Sequence, residues 1–438
     1  MRDSVGSSLS LDPTYEIVSA MRTAATTADI DALDAEARRL MTAFASAGYE
    51  RVEPAVIQPA DLFLDVIGES LRARTYVFTD PDGAELCLRP DLTVPTCRLH
   101  LERHAHANTR ARYCYSGSAF RYQPAGAGRA HPREFHQAGV ESFAAPDPEQ
   151  DDAAVLSLIV TALREAGLRG IRLRIGDLGL LAAVINALDM PERWRTRLHH
   201  QFWRPEAFRA ELARLSSGRA APGADGVSPL ASTLQPDRLV PARGLTPPGD
   251  LIDRLDPADP AGAEALVMEH LEKAGVELIG ARSAAEIAQR LLAEAADRRE
   301  RPLPAKTAAL IEAYVAVKAP ARAAVDRLAK LARSNGVDIS AGLHAFVRRL
   351  DLIEQGGAST GEAQFSAEFG RNLEYYTGFV FEVIAPALGP QSPVAGGGRY
   401  DSLLAQVGAP MGVPAVGASI HTERLLASLQ GEGPEEHP

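Results

Sequence analysis

Residues 112–143 read RYCYSGSAFRYQPAGAGRAHPREFHQAGVESF. Two runs within it, YCYSGSAFRYQ and EFHQAGVESF, carry the alternation of strands, and they flank PAGAGRAHPR, whose glycine and proline content forbids regular structure. An antiparallel pair joined by a long loop follows. On a strand, residues at i, i+2 and i+4 point the same way, so Gln137, Gly139 and Glu141 share one face with a gap above the glycine. An amide and a carboxylate placed there can accept an α-ammonium group or an imidazole N–H. The same spacing also fits a solvated strand face, and spacing alone does not choose between the two.

Upstream, Leu33, Ala37, Leu40, Met41 and Phe44 form a helical stripe from Asp31 to Ala47, capped by Asp31 and ended by Gly48. Tyr49 to about Leu101 reads as loops and short strands. Downstream, Asp151 and Asp152 open a helix that stops at Gly167 to Gly170, and IRLRIG then alternates as a strand, with parallel crossover or antiparallel return left open. Residues 177–350 are helical by pattern, interrupted over 216–260 by a stretch dense in Pro, Gly, Ala and Asp. That stretch is a poor core former and reads as a mobile insertion. Strand character returns at YYTGFVFEVIA (375–385), before AGGGRYD and a final helix from about Ile420 to Leu429.

Strands, a helical middle and strands again favour an α+β domain around an antiparallel sheet, split by a helical insertion, over a doubly wound fold. The expected divisions are a flexible N-terminus (1–27), a first part of the core (28–176), the insertion (177–350), a second part of the core (351–430) and a tail (431–438).

The chain has 438 residues, 46% of them hydrophobic, which supports a large core and more than one domain. Its net charge of -11 disfavours gripping a phosphate backbone, so no nucleic acid partner is expected. Cys87, Cys97 and Cys114 show neither metal-ligand spacing nor the even count of a secreted disulfide framework. MRDSVGSSLSLDP lacks the signal-peptide pattern, and no apolar run reaches the length of a membrane span. A soluble cytoplasmic protein without membrane contact is expected. No His/Cys cluster has zinc spacing and no nucleophile–base pair stands out, so neither a metal, a cofactor nor a catalytic residue is predicted.

Three further segments carry polar groups suited to a small ligand. In EFGRNLEYYTG, Arg371 can fork onto a carboxylate while Tyr375 and Tyr376 supply an apolar wall with hydroxyls at its edge; paired tyrosines entering a strand also fit plain core packing. GGGRYD allows close backbone approach and reads as a turn presenting Tyr400, without the Gly-Lys-Ser/Thr ending of a phosphate loop. In LCLRPDLTVPTCR, Arg89, Asp91 and Thr93 alternate as on a sheet edge, where Asp91 either meets a ligand ammonium or serves as a turn aspartate after proline.

Taken in order, RPDLT, FRYQPAGAGRAHPREFHQAGVE, GRNLEYYTG, GGGRYD and GASIHTERL resemble the signature segments of the histidyl-tRNA synthetase catalytic domain, across roughly residues 28–145 and 345–430. GYERVEPAVIQPADLF (48–63) is similar to the first class II motif, which builds a homodimer interface around a proline, here Pro54. The resemblance implies a class II aminoacyl-tRNA synthetase-like antiparallel sheet of about six strands flanked by helices. It also implies a histidine pocket made of Asp91, Thr93, Arg121, Gln137, Glu141, Arg371, Tyr375, Tyr376 and Tyr400. Asp91 and Glu141 would take the ammonium and an imidazole N–H, Arg371 and Arg121 would face the carboxylate, and the tyrosines would close over the ring. Asp91 stands where synthetases usually carry Glu.

Other departures fall on the ATP and tRNA machinery. Gln123 replaces the glutamate that holds adenine, His421 replaces a glycine that leaves room beside the nucleotide, and 13 residues follow Leu425, so no anticodon-binding domain is expected. Arg424 is kept. A histidine pocket kept without that machinery resembles the regulatory subunits of ATP phosphoribosyltransferase, as does GDLGLLAAVINALDMPERWRTRL (176–198). That resemblance implies a non-catalytic, histidine-binding chain in a hetero-oligomer with the short catalytic subunit. The enzyme alternative is a divergent histidyl-tRNA synthetase or histidine-activating enzyme, and histidine-dependent pyrophosphate exchange separates the two.

Overall fold

The computed structural model describes residues 27–64, 69–123, 132–217, 249–273, 283–361, 363–370 and 373–431. The start (1–26), most of the loop from Pro124, most of the segment 216–260, Arg371 and the tail from 432 lie outside the described residues. The chain divides into two units, one of Met1–Ala187 with Ala313–Pro438 and one of Leu188–Glu312. Within the stretch 177–350 that pattern assigned to an insertion, the helices Leu178–Asn186, Ala321–Asn335 and Ser340–Gln355 belong to the first unit.

The first unit holds two sheets. The larger contains β1 (Glu50–Arg51), and the smaller contains β2 (Ile57–Pro59), β3 (Val77–Thr79) and β4 (Glu85–Leu88). The larger continues with β5 (Ala111–Phe120), β6 (Glu134–Phe143), β7 (Arg172–Asp177), β8 (Lys318–Pro320), β9 (Gln364–Ser366), β10 (Phe379–Ile384), β11 (Ala395–Arg399) and β12 (Ala415–His421). Its order is β1-β5-β6-β12-β11-β10-β7-β9-β8, and the run from β5 to β7 is antiparallel throughout. The undecided strand β7 therefore returns antiparallel against β10 and lies parallel to β9. Architecture and connectivity are those of the α+β class that the sequence predicts.

Alternation gives this sheet two different faces. On one, Tyr113 and Tyr115 of β5 oppose Glu141 and Gly139 of β6, and Glu141 in turn opposes Gly417 of β12. On the other lies helix α3, which follows α1 (Thr27–Ser46) and α2 (Thr93–Arg103) in the chain. Helix α3 spans Pro148–Glu165, is capped by Asp147, whose side chain accepts from Gln150 N at 3.1 Å, and has proline in its first turn. Val155, Leu156, Ile159, Val160 and Leu163 are buried along it, each worth about 1.5–3 kcal/mol of transfer free energy. Helix α4 (Ser340–Gln355) packs against α3, and α5 (Thr422–Gln430) against α1.

Four local expectations are corrected. Helix α2 lies where loops and short strands were expected, and it takes Thr93 off the anticipated sheet edge; Pro95 is tolerated because the first turn of a helix needs no N–H there. AGGGR is a buried central strand, not a turn, since a Cβ at Gly397 would stand 2.3 Å from the Gly417 carbonyl oxygen. Asp151 and Asp152 sit inside α3, not at its start. Residues 249–260, expected in the mobile segment, carry the helix Gly249–Arg254, with Leu251, Ile252 and Leu255 buried.

In the second unit those three residues pack with Val267, Leu271, Ile287 and Leu291 from the helices Pro260–Lys273 and Ala284–Arg299. Asp297 there, its side chain 5% exposed, accepts from Arg193 Nε at 2.8 Å, Trp194 Nε1 at 2.6 Å and Arg214 Nη2 at 3.0 Å. Among the described residues, no helix is long and apolar enough to cross a membrane.

Candidate functional site

Glu141 lies in the middle of β6 with none of its surface exposed. Its Oε1 accepts from the Tyr115 hydroxyl at 2.9 Å, its Oε2 accepts a shorter bond from Tyr400, and the Thr93 hydroxyl at the start of α2 also donates to it. Room for this carboxylate exists only because the strands beside it lack side chains. A Cβ at Gly417 would stand 1.6 Å from Glu141 Oε2, and one at Gly139 would stand 2.6 Å from the Tyr115 hydroxyl. Gly417→Ala is therefore expected to displace the carboxylate, costing on the order of 1–3 kcal/mol in urea unfolding and removing ligand affinity. An unchanged unfolding midpoint would show that the strand accommodates a side chain.

Three tyrosine rings wall the same space. Tyr375 lies 4.8 Å from Tyr376 and 5.8 Å from Tyr400 between centroids, the second pair edge to face, and all three residues are buried. Gly398 of β11 lets Tyr376 approach, since a Cβ there would stand 3.0 Å from its ring. Glycine at 139, 398 and 417 thus makes a floor of main chain beneath aromatic walls.

Asp91 supplies a second buried carboxylate. Its Oδ1 accepts from Val94 N at 3.2 Å at the start of α2, while its Oδ2 has no hydrogen-bond partner among the described residues. Gln137 is also buried; its Nε2 donates to Ser419 Oγ at 3.3 Å and its Oε1 likewise has no hydrogen-bond partner among the described residues. Two unsatisfied acceptors beside a buried carboxylate carry a desolvation penalty that a ligand bearing N–H donors would relieve. Burial pushes the Glu141 carboxyl up to about 7, against the hydrogen bonds from Tyr400, Thr93 and Tyr115. Asp91 is raised by burial too, while Arg121, the main-chain donors of Val94 and Thr93, and Arg89 oppose the shift. Arg121 donates from Nε to the Pro90 carbonyl at 2.8 Å and lies over the Phe135 ring. With Arg89, it sets positive charge near Asp91.

Hydrogen bonds, ring contacts and charge thus bring Asp91, Thr93, Arg121, Glu141, Tyr375, Tyr376 and Tyr400 together, with Gln137 on the same strand face as Glu141. Arg371 lies outside the described residues. Tyr115 is the participant that sequence reasoning passed over. Its signal was weak, because Tyr113 and Tyr115 look like any half-buried strand until Tyr115 is seen opposite Gly139.

Apart from this buried cluster, a cavity of about 150 Å³ is lined by Arg74, Arg121, Gln123, Pro132, Phe135, His421, Glu423 and Arg424. His421 packs on Phe135 at 5.0 Å between ring centroids and takes up part of this space.

A family profile described as histidyl-tRNA synthetase matches residues 26–233 and 263–425. The chain is 34% identical to an ATP phosphoribosyltransferase regulatory subunit of Brucella anthropi over 377 residues, covering 86% of this chain and 92% of that protein. It is 34% identical to one of Mesorhizobium japonicum over 391 residues, 88% and 94% of the two chains. Among solved structures, an ATP phosphoribosyltransferase regulatory subunit/histidyl-tRNA synthetase from Bacillus halodurans superposes with a TM-score of 0.61 at 18% identity, over 94% of this chain and 82% of that one. A histidine–tRNA ligase subunit from Alicyclobacillus acidocaldarius gives 0.51 at 23% identity, over 98% and 99%. At these identities the two structures speak to the fold.

Proposed function

Because the chain belongs to the histidyl-tRNA synthetase family, and within it to the ATP phosphoribosyltransferase regulatory subunits, we propose that it is the non-catalytic regulatory subunit of that enzyme in histidine biosynthesis, and that free L-histidine is the ligand of its buried pocket. The observation that carries the ligand is the set of buried acceptors: Glu141, held by Tyr400 of the three packed tyrosine rings, and Asp91 Oδ2 and Gln137 Oε1, neither of which has a hydrogen-bond partner among the described residues. Histidine offers a cationic ammonium, an imidazole N–H and a flat ring, which match acceptors and walls one to one. Asp91 and Glu141 take the ammonium and imidazole N–H, Arg121 faces the carboxylate, and Arg371 joins it on its place in the motif.

The partner is the short catalytic subunit, in a cytoplasmic hetero-oligomer, and the regulatory chain pairs with a second copy of itself through the region around Pro54. Val56 and Ile57, beside that proline, are 40% and 52% exposed, and Phe78 on the same small sheet is 38% exposed, an apolar surface suited to burial between copies.

Reconstitution with the catalytic subunit tests the role. Phosphoribosyl transfer is expected to require this chain and to fall in histidine, with a coupling of roughly 1–3 kcal/mol changing activity or affinity about 5- to 150-fold. Tyr376→Ala should lose both histidine binding here and the inhibition. Equal inhibition of wild-type and variant assemblies, with calorimetry showing that the variant no longer binds histidine, would put the sensing site on the catalytic partner.

A further inference from the structure

We propose that Asp152, Arg349 and Arg399 are positioning residues for the ligand pocket, acting through the sheet on Tyr400; the inference rests on histidine as that pocket's ligand. Arg399 and Tyr400 are consecutive, and alternation sends their side chains to opposite faces. Tyr400 reaches Glu141 in the pocket, whereas Arg399 pairs with Asp152 of α3 on the far face, Nη2 to Oδ1 at 2.7 Å. The other oxygen of Asp152 lies 2.8 Å from Arg349 Nε of α4, and Arg349 Nη1 donates to Asp177 Oδ2 at 2.9 Å. Asp177 in turn caps the helix Leu178–Asn186 through Gly179 N and Leu180 N. One fully buried carboxylate therefore joins two guanidiniums from different elements.

This arrangement is costly as a device for stability alone. A buried ion cluster is often matched or bettered by apolar side chains of similar volume, so its stronger justification is geometric. Burial keeps the Asp152 carboxyl above the usual aspartate range despite both arginines. What the cluster fixes is the chain around the pocket tyrosines. Arg399 Nη1 donates to Asp401 Oδ1 at 2.8 Å and Nη2 to the Pro148 carbonyl at 2.9 Å, while Asp401 Oδ1 also accepts from Ala415 N at 2.9 Å. The Arg399 carbonyl accepts from Thr377 N at 2.8 Å, and a Cβ at Gly378 would touch the Arg399 side chain at 3.2 Å. Asp401, which follows Tyr400, and the two residues that follow Tyr376 are thus held against Arg399.

The test is a double-mutant cycle on the full-length chain, read as histidine affinity by calorimetry with thermal unfolding recorded for each variant. Asp152→Asn is expected to weaken binding about tenfold or more although it touches no part of the pocket. Tyr400→Phe should weaken it as well, and the double variant should bind no worse than the weaker single one, because both changes remove the same interaction. If Asp152→Asn fails to fold, Arg349→Lys takes its place, keeping the charge but losing the fork. Wild-type affinity in these far-face variants, or losses that add in the double variant, would overturn the positioning role while leaving histidine as the ligand. A wild-type chain that does not bind histidine would overturn the ligand reading, and this inference with it.

Discussion

Glu141→Ala is expected to produce the largest loss of histidine affinity of any single substitution in the pocket. Removing one partner of a buried charged contact costs on the order of 2–5 kcal/mol, about a 30- to several-thousand-fold weakening. Three features put Glu141 at the top of that range. It is fully buried; it gathers donors from Tyr115, Tyr400 and Thr93, which would lose their acceptor together; and its carboxylate fills the space left by the missing side chain of Gly417, so its removal leaves a void. Unchanged affinity in this variant by calorimetry would remove Glu141 from the site.

The second large effect is on pH. With its carboxyl pushed up to about 7 by burial, Glu141 is neutral in the folded, unliganded protein over a range where the unfolded chain has already ionised it. The stabilisation this gives is complete below the unfolded value, near 4.5, and is lost as pH rises through 7, on the order of 3 kcal/mol in all. Histidine, the proposed ligand, is expected to reverse the preference, because its ammonium favours the anion. Binding near neutral pH should therefore release a proton from Glu141, and affinity should rise as pH passes from about 6 to 8. Calorimetry in buffers of different ionisation heat measures the proton count. The imidazole of the ligand titrates in the same region, so the comparison is with Glu141→Gln; identical proton counts in the two proteins would defeat this account.

How much of the architecture could be read in advance depended on how local its cause was. Period-two alternation placed Gln137, Gly139 and Glu141 on one face because strand geometry alone dictates it, and β6 has them in that register with β12. The glycine run at 396–398 misled, since glycine's local preference is for turns, whereas here it answers to neighbouring strands distant in sequence. Asp152 looked like the opening acid of a helix, but the cap is Asp147, and its true partners are 197 and 247 residues further on. Long-range ion pairs leave no periodic trace. In the pocket, carboxylates and tyrosines were legible through ordered motifs, while Tyr115 became visible only with the pairing of β5 and β6.

The main-chain floor beneath Glu141 also bears on how such a pocket can change over generations. A wall built from side chains can be trimmed or enlarged one methyl at a time, so ligand preference drifts in small steps. A floor of Gly139, Gly398 and Gly417 offers no such gradation, because every replacement adds at least a Cβ where 1.6–3.0 Å is available. Variation there is one-directional and closes the chamber, which leaves novelty to the side chains around it, such as Asp91 and Arg121.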